Sequence, residues 1–199
     1  MNKKVKCLLL SITLLSCYLS KGQYFPADTL NLNKTYEAFL NEPTSYHNQM
    51  AFLDAFPKNF RDFLMVYQFQ KGQDYDLTMY YKGVDHIISG LYKLDLIPDT
   101  TFCDRIIWLS LGGFWEADAP SYLQRLLHRL VAEKRDVMFE RLSKLNAGQQ
   151  VSFWFFYFHS RFEKTEEYNI LLRDMNANYP AVIESMKLAY PAANGKVWY

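Results

Sequence analysis

Two carboxylates and an indole share one short turn, Gly112-Gly113-Phe114-Trp115-Glu116-Ala117-Asp118. Paired carboxylates suggest glycoside chemistry, in which two such groups flank the bond to be broken. Glu116 and Asp118 sit in the same turn, so they are poorly placed to flank one bond. Binding fits the residue types better: Trp115 could stack on a sugar or other ligand ring while Glu116 and Asp118 accept hydroxyl protons. The same residues also read structurally. Gly112-Gly113 stops one helix, Asp118 caps the next with Pro120 in its first turn, and Trp115 packs over the joint.

Downstream, Arg125, His128 and Arg129 fall together on the polar side of a helical stripe. They form either a patch for an anion or acidic partner, or a solvated face paired with Glu133. His47, His86, His128 and His159 show no metal-binding spacing, and no cysteine cluster accompanies them. His86 and His128 are expected on solvated faces, and His159 at a helix end. The chain contains no G-x-S-x-G, P-loop or G-x-G-x-x-G pattern. Accordingly no catalytic residue, metal or cofactor is assigned.

Helices must position these groups. Phe60, Phe63, Leu64 and Tyr67 recur at the helical period, as do Leu77, Tyr80, Tyr81, Val84, Ile87, Ile88 and Leu91. Further stripes run through Leu123–Leu130, Val137–Leu145, Tyr168–Met175 and Val182–Met186. Pro43 and Pro57 divide the N-terminal part into short helices. Asn146 with Gln149 resembles a capping box, Thr165 opens a helix with Glu166 and Glu167 behind it, and Tyr179-Pro180 and Tyr190-Pro191 bracket the last. The run Phe153-Trp154-Phe155-Phe156-Tyr157-Phe158 reads as a central helix, apolar all round, rather than a buried strand. Six exposed aromatics would invite aggregation, so a core position is expected.

The expected fold is all-α: a single compact domain of about nine antiparallel helices on short connections. A degenerate α-solenoid is the alternative, although no repeat period holds. Residues 23–32 and 191–199 are expected to be flexible ends.

Residues 1–22 have the layout of a secretory signal peptide, which leaves a domain over 23–199. Lys3, Lys4 and Lys6 precede the apolar Leu8–Leu15 segment, and Ser20-Lys21-Gly22 offers a cut before Gln23. A competing reading makes Leu14-Leu15-Ser16-Cys17 a lipobox with Cys17 lipidated, anchoring the protein to a membrane. Neither provides a transmembrane span, since the apolar stretch is shorter than the roughly 20 residues required.

Removing Lys3, Lys4, Lys6 and Lys21 takes the 22 basic residues to 18 against 21 acidic ones. That balance argues against nucleic acid as a partner. Only Cys103 of the three cysteines lies beyond the signal segment, among apolar neighbours, so it is expected to be a buried thiol outside any disulfide.

These features point to a non-enzymatic protein-interaction module, exported to the periplasm or secreted in a bacterial cell envelope. One specific form is an immunity-type inhibitor of a toxic effector. A glycan- or small-ligand-binding protein built around Trp115 is the alternative.

Overall fold

The computed structural model describes residues 28–68, 77–115, 119–160, 164–175 and 177–195. Residues 1–22, read above as a signal segment and containing Cys17, and both Glu116 and Asp118, lie outside them. The described residues form ten α-helices and no strand. Side-chain caps set several starts. Asp28 accepts from Asn31 N–H at 2.9 Å to open α1 (Thr29–Asn41). Ser45 opens α2 (Tyr46–Ala55) and Asn59 opens α3 (Phe60–Tyr67) in the same way. Pro43 and Pro57 lie in the two breaks between these helices, as their missing N–H and ring sterics require.

The stripe from Leu77 to Leu91 is helical but not uniform. α4 (Leu77–Val84) widens into a π-helical turn, Asp85–Gly90, and ends in a 3₁₀ turn, Leu91–Lys93. Such π-turns mark strained or functional positions. A Cβ on Gly90 would stand 2.7 Å from the Phe52 ring, so glycine lets α2 close onto this turn.

α5 (Asp99–Ser110) is followed by Gly112 at φ +75°, in the left-handed region that stops helices. Lys134 separates α6 (Ala119–Glu133) from α7 (Arg135–Ser143). α8 (Ala147–Phe158) opens with the full Asn146/Gln149 capping box. α9 (Thr165–Met175) and α10 (Pro180–Asn194) complete the chain.

α8 is the centre of the molecule. Phe153, Trp154, Phe156, Tyr157 and Phe158 are all fully buried, with Phe155 partly so. α10 lies along α8, and α6 crosses it. α1 and α2 pair and cover the π-turn, while α5 rests on α7. All of these helices feed one continuous core. Contacts between elements distant in the chain make this a closed all-α domain rather than a stack of neighbouring repeats.

Two expectations about the ends need correction. Leu32 is fully buried in α1, so the ordered domain begins before residue 33. At the other end α10 continues through Pro191 to Asn194. A proline so late in a helix forfeits little of the backbone ladder, and Ala189 and Ala193, one turn apart, both face the core. Their packing outweighs the local cost.

The Gly112-Gly113 turn yields a two-part expectation. A Cβ on Gly113 would meet Phe156 Cγ at 2.7 Å and the Ser110 carbonyl at 2.8 Å. Gly113→Ala should therefore cost about 1–3 kcal/mol by overpacking. At Gly112 nothing lies within 4 Å of the added carbon, so Gly112→Ala should cost about 1–2 kcal/mol through its backbone angle alone. Gly112→Asn should recover part of that cost, because asparagine tolerates this region, whereas Gly113→Asn should be worse than Gly113→Ala. Urea unfolding of the four variants checks the pattern; equal behaviour at both positions would contradict it.

Candidate functional site

The α5–α6 turn is fastened to α8 at successive residues. Gly112 N–H donates to Ser152 Oγ at 2.7 Å, and Trp115 N–H donates to His159 Nδ1 at 2.8 Å. Gly113 fits against Phe156, and the Phe114 ring packs edge-on to Phe60 at 5.3 Å. His159 caps the end of α8, and burial lowers its pKa. Its Nδ1 must then be an acceptor, which fixes the proton on Nε2 in the neutral ring. Gln124 Nε2 ties α6 to the same corner, donating to the carbonyls of Phe156 at 2.5 Å and His159 at 2.7 Å.

Trp115 is half-buried at this joint, a packing position more than an open stacking platform. The exposed aromatics are its neighbours. Phe114 is 40% exposed and Trp108, near the end of α5, is 49% exposed. Leu111, one helical turn after Trp108, joins Leu64, Met65 and Phe114 in lining a groove of about 430 Å³ against α3.

The structure divides the Arg125, His128 and Arg129 set. Arg125 is exposed, with its guanidinium 5.8 Å from the Tyr122 ring centre. Arg129 Nε donates to both Glu133 oxygens at 2.9 Å and lies 5.3 Å from the Tyr92 ring centre. His128 points to the opposite flank. Its Nδ1 meets Glu167 Oε1 at 2.8 Å, and its ring lies 4.1 Å from that of Tyr157. It is therefore not on a solvated face: α8 and α9 cover that side of α6, which no pattern within α6 reveals.

Tyr157 O–H also donates to Glu167 Oε1. Burial pushes the Tyr157 phenol well above its ordinary pKa, and the Glu167 charge adds to this. For Glu167, burial raises the pKa, but the hydrogen bonds from His128 and Tyr157, with the charges of His128 and Lys164, outweigh it. The carboxyl is held below its usual range and stays ionised. A cleft of about 420 Å³ opens beside this cluster, with Arg135, Lys164 and Glu166 at its edge. None of Tyr157, Lys164, Glu166 or Glu167 stood out in the sequence as a site residue. Tyr157 was one of six aromatics in a row, and Glu166 and Glu167 looked like ordinary first-turn acids.

His86 is likewise fully buried rather than solvated. Its Nδ1 pairs with the Tyr67 hydroxyl at 2.8 Å, and Tyr36 and Phe52 close the box around the ring. The inward face it shares carries Gly83 and Gly90, residues that are silent in an apolar pattern. Cys103 is fully buried, and burial with the nearby Asp99 and Asp104 charges pushes its thiol up to about 12. It lacks the thiolate character a nucleophile needs.

Among the described residues no three His, Cys, Asp or Glu side chains gather to hold a metal. No helix there is long and apolar enough to cross a membrane. Comparison of the chain with protein-family models, curated proteins and solved structures finds no match to any of them.

Proposed function

We propose that this chain is a protein-interaction module of the bacterial cell envelope, exported to act there, whose partner face is the groove beside Phe114 and Trp108. One observation carries the reading: the exposed Phe114 lines an apolar groove on a turn that is hydrogen-bonded to the core helix, and the exposed Trp108 stands in α5 one helical turn before Leu111, another residue of its wall. Aromatics at such positions dominate interface energies. A turn already held in place loses little freedom on docking. The occupant that fits an exported helical domain without a catalytic constellation is a toxic effector, which the module binds and blocks.

Trp108→Ala and Phe114→Ala are expected to weaken partner binding by about 2 kcal/mol each, roughly thirtyfold, while the melting temperature stays near that of the parent. Capture from an envelope extract of the native host, followed by titration of the captured protein, measures the loss. Co-expression adds a functional readout: the parent chain should relieve the partner's toxicity and the double variant should not. A partner held equally by parent and variants would remove the groove from the interface. Toxicity relieved equally by both would do the same.

A further inference from the structure

We propose that the cleft between α6, α8 and α9 binds a small zwitterion with an apolar side chain, of the amino-acid or short-peptide class. The site is separate from the groove and does not depend on it. Its volume of about 420 Å³ lies within the roughly 300–1,000 Å³ range of small-molecule sites.

The two ends of such a ligand match two kinds of group. Donors come from Arg135 and Lys164. Arg135 gives one Nη1–H to Asp174 at 2.9 Å and leaves Nε shielded from solvent with no acceptor among the described residues. Among the described residues Lys164 Nζ meets an acidic oxygen only at 3.9 Å, on Glu167 Oε2, too far for a hydrogen bond. Both cations therefore retain donors for a carboxylate. Acceptors come from Glu167 and Glu166. Tyr157 and His128 both occupy Glu167 Oε1, which fixes the carboxylate; Oε2 has Lys164 Nζ beside it at 3.9 Å, beyond hydrogen-bond reach, and so keeps its hydrogen-bonding capacity for an ammonium group. Glu166 adds an exposed carboxylate at the rim. Val131, Ala132, Ile170 and Leu171 supply the apolar wall between them.

Mixed charge selects the class. A bare anion would leave the apolar wall and the carboxylates unused. A fatty carboxylate would set its chain beside Glu166 and Glu167 without pairing either, and an amine alone would leave Arg135 and Lys164 unserved. Only a ligand carrying both charges on an apolar body meets all three features.

Calorimetric titration of the intact protein tests this with L-leucine, L-phenylalanine and leucyl-leucine. The controls are 4-methylpentanoate, which lacks the ammonium, and leucinamide, which lacks the carboxylate. At least one zwitterion should bind, and each control should bind about tenfold more weakly or worse. Lys164→Met should weaken the zwitterion about tenfold and leave leucinamide bound at least as tightly as before, because it also removes a competing cation beside Glu167 Oε2. Glu166→Gln should weaken the zwitterion and leave 4-methylpentanoate unchanged. Both positions are at the surface, and the ligand series on the parent chain decides the matter without them. No binding by any zwitterion overturns the proposal, as does a control that binds as tightly as its parent. Trp108→Ala should bind the zwitterion like the parent chain, so failure of the groove and failure of the cleft remain distinguishable.

Discussion

Trp154→Ala should remove about 3–5 kcal/mol of folding stability, the usual cost of deleting a large aromatic from a packed core. Trp154 is fully buried at the middle of α8 and packs against Phe139 at 5.6 Å, Phe153 at 5.1 Å and Tyr157 at 5.2 Å between ring centres. α8 is packed between α10, α6 and α5, so the void could not close by moving one peripheral element. A domain of this size has about 5–15 kcal/mol in total, and the variant should be near its unfolding threshold. Trp154→Phe should behave differently. The indole Nε1–H is buried without an acceptor among the described residues, an arrangement that costs about 1–3 kcal/mol. Phenylalanine removes that penalty while leaving a smaller void, so its net loss should be within about 1.5 kcal/mol. Urea unfolding monitored by circular dichroism measures both. A phenylalanine variant as unstable as the alanine one would mean that the indole N–H has a partner after all.

Stability should fall by about 3 kcal/mol between neutral pH and pH 4 through His86 alone. Burial, with the Lys82 charge added, lowers its imidazole to about 4 from an ordinary 6.5. The unfolded chain takes up the proton near pH 6.5, whereas the folded chain resists it until about pH 4. Between those values the unfolded state binds more protons, so acid favours unfolding. The contribution is complete above the unfolded value and lost as the pH falls through this window. The geometry agrees. A charged ring needs acceptors for both N–H groups, and Nε2 is buried with none among the described residues. The groups around it are the Tyr67 and Tyr36 phenols, Lys82, and Asp85, whose carbonyl already accepts from Tyr36 O–H at 3.1 Å. Burial lowers His159 in the same direction, so the His86 share must be taken as the difference between the parent and His86→Gln. The variant should start less stable at pH 7 and lose less on acidification. Parallel pH profiles for the two proteins would show that His86 is not the responsible group.

Both effects come from side chains whose surroundings are assembled from several helices, and this limits what could be read in advance. Helices were legible wherever apolar residues keep the helical period and a cap or proline marks the boundary. Phe60–Tyr67, the Asn146/Gln149 box and the breaks at Pro43 and Pro57 are local signals, and local backbone sterics produce them. The aromatic run of α8 was legible as core because a helix apolar all round has no face to give to water. Pro191 misled because its local preference was outweighed by the burial of Ala189 and Ala193. His86 misled because its buried face carries glycines.

The chain by itself determined the helical class, most helix boundaries and the central place of α8, because each depends on residues within a few positions of one another. Tertiary structure alone decided that His128, Tyr157 and Glu167 converge, that Arg129 turns away from them, that Phe114 and Trp108 are left at the surface, and that Phe114 lines a groove. Those outcomes depend on which helix covers which flank. That choice is made by packing between distant segments, and the period of a single helix carries no record of it.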